Sequence, residues 1–166
     1  MLAALDVHYS DDTAHAAAVV FETWISDSVT AQYTTAESPI AEYEPGQFYM
    51  RELSPLLAVI MKIQQPIDIW IIDGYCHLSA DGDPGLGVHL AEALDSDAPV
   101  IGVAKNPYRQ TQHAAQVLRA DSKRPLYVTA VGMDYKTAAD HVAAMAGEFR
   151  IPTLLKAADQ LSRKYN

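Results

Sequence analysis

The rhythm of apolar and polar positions changes several times along this chain. Residues 2–9, Leu-Ala-Ala-Leu-Asp-Val-His-Tyr, are a nearly continuous apolar run closed by Ser10-Asp11-Asp12, which predicts a buried strand and a turn. From Thr13 to Trp24, Ala, Val and Phe recur without helical spacing, and the segment reads as a second, central strand. Asp27 to Thr35 alternates and is rich in Thr and Val, which predicts a third strand. Ala36 to Gln47 carries Pro39, Pro45 and Gly46 and reads as a loop. Leu53, Leu56, Leu57, Ile60 and Met61 then share one helical face, with Ser54 as N-cap, Pro55 at the first helical position and Glu52 just before the helix. Apolar runs and helical patterns alternate from there on. They predict a buried strand at 67–73, a glycine-containing loop at 74–85, a helix from Leu86 to Leu94 and a strand from Pro99 to Ala104. A polar segment follows at 106–124, partly helical from Gln110 to Arg119, then a last strand from Pro125 to Gly132. Helices at Lys136–Gly147 and Leu154–Lys164 close the chain.

Three early strands joined by short turns predict an antiparallel meander, and the later alternation predicts parallel strands. The expected class is α/β: a ribonuclease H-like mixed sheet, three antiparallel strands then parallel strands, flanked by helices. A doubly wound sheet would need a crossover helix between the early strands. At 166 residues the chain fits one domain, residues 1–166, with no repeat or linker. No apolar run approaches the roughly 20 residues that span a bilayer, so no membrane partner is expected. The N-terminus lacks a basic n-region, and the single cysteine, Cys76, suits a reducing compartment. A cytoplasmic monomer is the expectation.

The chemistry is carried by acids in apolar surroundings. Asp73 ends the run Ile67-Asp-Ile-Trp-Ile-Ile-Asp73-Gly74, Asp6 interrupts the first strand, and Glu52 stands where an apolar helix begins. An isolated buried carboxylate is costly unless a cation neutralises it, and hard divalent cations take oxygen ligands. Each acid alone reads equally as a strand end or a helix start. If the first and fourth strands are neighbours, Asp6, Glu52 and Asp73 converge on Mg²⁺, with Mn²⁺ as a substitute, and metal-assisted phosphodiester hydrolysis follows. Lys105, at the end of Ile101-Gly-Val-Ala-Lys105, either neutralises a phosphate or extends its ammonium to solvent from a strand end. Gly82, Gly85 and Gly87 allow close backbone approach to a ligand, although their spacing is neither GxGxxG nor a Walker loop. His77 and His89 are too isolated for a zinc site. The net charge of −9 opposes tight nonspecific binding of nucleic acid, although some of the acids belong to the candidate metal site and the basic residues cluster from Lys105 onward.

In this order the motifs resemble the endonuclease V family, deoxyinosine-specific nucleases with a ribonuclease H-like fold. Asp6-Val7 with Tyr9 resembles the family's Asp-Val-x-Tyr, and Tyr43-Glu-Pro-Gly-Gln-Phe-Tyr-Met-Arg-Glu52 its Tyr-Ile-Pro-Gly-x-x-x-x-Arg-Glu. Ile72-Asp73-Gly74 is similar to Val-Asp-Gly, Gly85-Leu-Gly-Val-His-Leu90 to Gly-Leu-Ala-Ser-His-Leu, and Gly102-Val-Ala-Lys105 is identical to the family's segment. Pro125-Leu-Tyr-Val-Thr and Pro152-Thr153 with Ala158-Asp159 resemble the closing blocks. The resemblance implies metal-dependent cleavage 3′ to a deaminated base in DNA repair, with nucleic acid as partner. It makes Asp6, Glu52 and Asp73 the metal ligands, Lys105 a phosphate contact and Asp159 a fourth catalytic acid. It implies that Tyr43, Pro45 and Gly46 form a strand-separating wedge. Gly74, Gly82, Gly85 and His89 would border the base pocket. The chain departs from the pattern at Glu44, Tyr75-Cys76 and Asp81, and lacks the family's N-terminal helical extension and much of the loop after Lys105. Two alternatives stay open: a nucleic-acid binding protein with altered or lost activity, and a nuclease of inosine-containing RNA.

Overall fold

The computed structural model describes residues 1–40, 48–109 and 112–164. Its strands are β1 (Leu2–Ser10), β2 (Thr13–Phe21), β3 (Ala31–Glu37), β4 (Ile69–Asp73), β5 (Val100–Ala104), β6 (Ala115–Val117) and β7 (Leu126–Val131). They form one sheet in the order β3-β2-β1-β4-β5-β7-β6. The first three strands are an antiparallel meander, and β4 and β5 continue parallel to β1. The expected mixed sheet is therefore present.

Alternation sends the two faces of the sheet to different helices. Leu2, Ala4, Ala17, Val19, Phe21, Ile71, Ile101 and Val128 pack with α3 (Tyr135–Ala144) and α4 (Thr153–Ser162). Ala3, Leu5, Ala16, Ala18, Val20, Trp70, Ile72 and Val100 pack with α1 (Phe48–Ile60) and α2 (Leu86–Ala93). Strands covered on both faces read as continuous apolar runs, which accounts for the patterns of β1, β2 and β5. Alanine favours helices, yet Ala16, Ala17 and Ala18 are fully buried in β2, where their small side chains let α1 and α4 pack on opposite faces.

Four expectations are corrected. Helix α1 starts at Phe48, so Glu52 and Pro55 both lie inside it rather than before and at its start. Pro55 has no N–H for the Arg51 carbonyl, and the Tyr9 hydroxyl donates to that oxygen instead, at 2.9 Å. The third strand begins at Ala31, because residues 22–30 make a loop pinned by Thr23 and Ser26 and by Trp24 stacked on His141 at 4.6 Å. Among the described residues of the 106–124 segment there is no helix; β6 pairs antiparallel with the far edge of β7. Finally, β7 runs antiparallel to β5. Gln110, the predicted helix start, lies outside the described residues, as do Tyr43, Glu44, Pro45 and Gly46.

Candidate active site

The carboxyl ends of the parallel strands are where a ligand can meet a sheet of this kind. Leu5 pairs with Ile72 across β1 and β4, which puts Asp6 level with Asp73. Both acids project from the face that carries Ala4 and Ile71, the side covered by α4. Lys105 follows β5 with the same parity as Ile101 and Val103. Helix α4 supplies Asp159 from above. One carboxylate oxygen from each of Asp6, Asp73 and Asp159 lies within 4.8 Å of the others. The Lys105 ammonium donates to Asp73 Oδ2 at 2.6 Å and stands 3.6 Å from Asp159 Oδ1. The structure thus brings together four of the five expected catalytic residues in one cluster.

Glu52 reaches the same sheet end from the other face. It lines a cavity of about 70 Å³ with Leu5, Asp6, Val7, Leu56, Ile72, Asp73 and Leu86. The acids therefore straddle the end of the central strands β1 and β4, with Asp159 on one side, Glu52 on the other and Asp6 and Asp73 shared between them.

Too little positive charge is present for so many acids. Burial pushes the Asp6 carboxyl up to about 6; the hydrogen bond from Ser162 opposes the rise, and the charges of Asp73 and Asp159 add to it. Burial, then the charges of Asp73 and Asp6, push Glu52 up to about 7. For Asp159, burial acts upward, but the hydrogen bond from Arg163 and the charge of Lys105 hold it below its ordinary value. For Lys105, burial acts downward and is outweighed by Asp73, which keeps the ammonium protonated. The donor set is all oxygen and under-neutralised, which fits a hard divalent cation. With these oxygens all within 4.8 Å of one another, small side-chain movements would bring them to the roughly 2.0–2.1 Å bonds that Mg²⁺ takes.

Sequence reasoning missed Ser162 and Arg163. Ser162 is buried and donates to Asp6 at 2.5 Å, and Arg163 donates to Asp159 at 3.1 Å. Their spacing from Asp159, three and four residues along one helix, is the signal that would have found them.

Beside the acids opens a cavity of about 690 Å³ lined by Tyr49, Glu52, Gly74, Tyr75, Leu78, Pro84, Gly85, Leu86, His89, Tyr108 and Arg109. Tyr49 stacks on His89, with ring centroids 3.5 Å apart. Of the expected pocket residues, Gly74, Gly85 and His89 line this space. Gly82 does not; it sits in the Ser79–Asp83 turn at φ +86°, with open space where a Cβ would stand. A Cβ at Gly85 would meet the Tyr75 carbonyl at 2.7 Å, and one at Gly87 the Cys76 Sγ at 2.3 Å. These glycines admit the chain's own Tyr75–Cys76 segment, so close approach is to protein rather than to ligand.

The comparisons with known proteins bear on this geometry. The sequence model of the Endonuclease V family matches residues 1–121. The chain belongs to the endonuclease V family. Endonuclease V of Streptomyces coelicolor is 31% identical, over 96% of this chain and 76% of the relative. The crystal structure of the Streptomyces avermitilis endonuclease V superimposes with a TM-score of 0.76 at 25% identity, covering 98% of this chain and 79% of that one. Ciona intestinalis endonuclease V, crystallised with a 24mer DNA containing an inosine followed by a ribo-adenosine, shares the fold at TM-score 0.79 and 22% identity. It is covered to 84% by 98% of this chain. The family match takes in Asp6, Glu52, Asp73 and Lys105. Asp159 lies past its end and enters the site through the position of α4. By family the chain is an endonuclease, and among its described residues no helix is long and apolar enough to cross a membrane.

Proposed function

We propose that this chain hydrolyses a nucleic-acid phosphodiester 3′ to a deaminated base, using a divalent cation, Mg²⁺ or Mn²⁺. The observation that carries the reading is the convergence of Asp6, Asp73 and Asp159 around Lys105. Asp6 and Asp73 would hold the cation with Asp159 on one face of the sheet and with Glu52 on the other. When bound, the cation neutralises phosphate charge and acidifies water. Ser162 fixes the Asp6 carboxylate through its hydroxyl. Lys105 is already protonated and poised to meet a phosphate oxygen as charge develops on it. A deaminated base, weakly paired and cheap to extrude, would leave the stack for the cavity where Gly74, Gly85 and His89 lie beside Tyr49, Tyr75 and Tyr108. Tyr43, Pro45 and Gly46 are assigned the strand-separating turn on the resemblance alone.

The test is nicking of an inosine-containing duplex with Mg²⁺, comparing the unaltered chain with Asp73→Ala. Loss of nicking in the variant supports the reading, and activity that survives it overturns the assignment. Single-stranded RNA containing inosine belongs in the same assay, because the Ciona relative was crystallised on a strand with a ribonucleotide after the inosine.

A further inference from the structure

Arg150 is partly buried, and among the described residues it makes no ion pair despite the acidic balance of the chain. Its partners are backbone carbonyls. Nε donates to Arg124 O at 2.9 Å, and one terminal nitrogen donates to Pro125 O at 2.9 Å and also to Lys105 O. Two of these carbonyls belong to the entry of β7 and the third to the residue that leaves β5. Ala104 and Tyr127 pair directly on the adjoining strands, so the guanidinium closes the open end of this ladder. The turn is braced further by Arg124 on Asn106 Oδ1 at 3.2 Å and Tyr75 on Asn106 O at 2.8 Å. Arg150 also lies three residues before α4, the helix that carries Asp159.

We propose that Arg150 is a positioning residue for Lys105. Its planar fork pins the Lys105 carbonyl to the start of β7 and to the approach of α4, so that the ammonium on the same residue stands at Asp73 and Asp159. Without that clamp the backbone at this strand end would be free to shift, and the ammonium it carries would reach those carboxylates only part of the time. A single ammonium at position 150 would reproduce the charge but not the fork. The inference rests on the reading of Lys105 as the phosphate-contacting group.

The experiment compares Arg150→Met, Arg150→Lys and Lys105→Met, together with the Arg150→Met/Lys105→Met double variant, on an inosine-containing duplex. Arg150→Met should lower kcat by roughly 10- to 100-fold while KM moves by less than about twofold. In the Lys105→Met background the same change should alter kcat by less than about twofold, because its effect passes through Lys105. Arg150→Lys should recover only part of the rate, and it replaces Arg150→Met in every comparison if the latter does not fold. In a crystal structure of the folded position-150 variant, Lys105 Nζ should have left Asp73. An equal loss in both backgrounds, or Lys105 still seated on Asp73 in that structure, overturns the proposal. If the unaltered chain cleaves nothing, the nuclease reading fails on its own, and the crystal structure alone decides the positioning.

Discussion

Replacing Glu52 with Gln is expected to stabilise the cation-free protein at pH 8. The reason is electrostatic: Glu52 is placed by α1 where burial and the charges of Asp73 and Asp6 disfavour ionisation. A carboxyl raised from 4.5 to about 7 carries about 3 kcal/mol of differential free energy, at roughly 1.4 kcal/mol per decade. Because the folded value lies above the unfolded one, this contribution favours the folded state fully below about pH 4.5. It is lost as pH rises through about 7. Gln carries no charge to lose. Wild type and Glu52→Gln should therefore differ by under about 1 kcal/mol at pH 5 and by about 3 kcal/mol at pH 8 in favour of the variant, and the latter is about 6–12 °C in Tm for a chain of this size. Asp6 acts in the same direction between its ordinary value and about 6. Asp159 is depressed and acts below that window, and Lys105 stays charged throughout it. Chemical denaturation in EDTA at pH 5, 6, 7 and 8 reads the difference directly. Adding Mg²⁺ at pH 8 should raise the stability of wild type more than that of the variant. A variant less stable than wild type at pH 8 in EDTA, or a difference independent of pH, would refute the reasoning.

The other predictions concern single contacts. Asp159→Asn should weaken Mg²⁺ binding at least about tenfold by calorimetry, since it removes the one carboxylate that α4 offers the cluster; unchanged affinity would place the ion elsewhere. Tyr9→Phe should destabilise the protein by about 1–2 kcal/mol in urea unfolding, because the Arg51 carbonyl loses the donor that replaces the missing Pro55 N–H. A neutral result would mean that water satisfies that carbonyl equally well. Gly87→Ala should cost about 2–3 kcal/mol in the same assay, because its Cβ would sit 2.3 Å from Cys76 Sγ and 2.9 Å from Cys76 Cα. Wild-type stability would show that the α2 contact with that segment is looser than described.

Most of the sheet was legible because the central strands are covered on both faces, so their apolar runs leave little ambiguity. Asp6 and Asp73 stood out because a charge in such a run needs a reason. Other features depend on partners remote in the chain. The extent of α1 is hidden by Pro55, which reads as a helix start until the Tyr9 hydroxyl is seen to take the carbonyl that the proline leaves free. Trp24 reads as strand until His141 supplies a ring to stack on. The three residues of β6 make a strand only against β7, and no local pattern marks so short an edge. Asp159 came from the resemblance alone, and α4 delivers it to Lys105 and Asp73. Arg150 carries no local signal at all, and Ser162 has only its spacing from Asp159, because a carbonyl clamp and a hydroxyl on a distant carboxylate are properties of the folded chain.

The account turns on whether these carboxylates share an ion. A crystal structure of the unaltered chain soaked with Mn²⁺ measures this directly through the anomalous signal of the metal. A peak coordinated by Asp6 and Asp73, with Asp159 or Glu52 completing the set, is the predicted result. Full Mn²⁺ occupancy elsewhere, with Asp6 and Asp73 still bound only to Ser162 and Lys105, would contradict it.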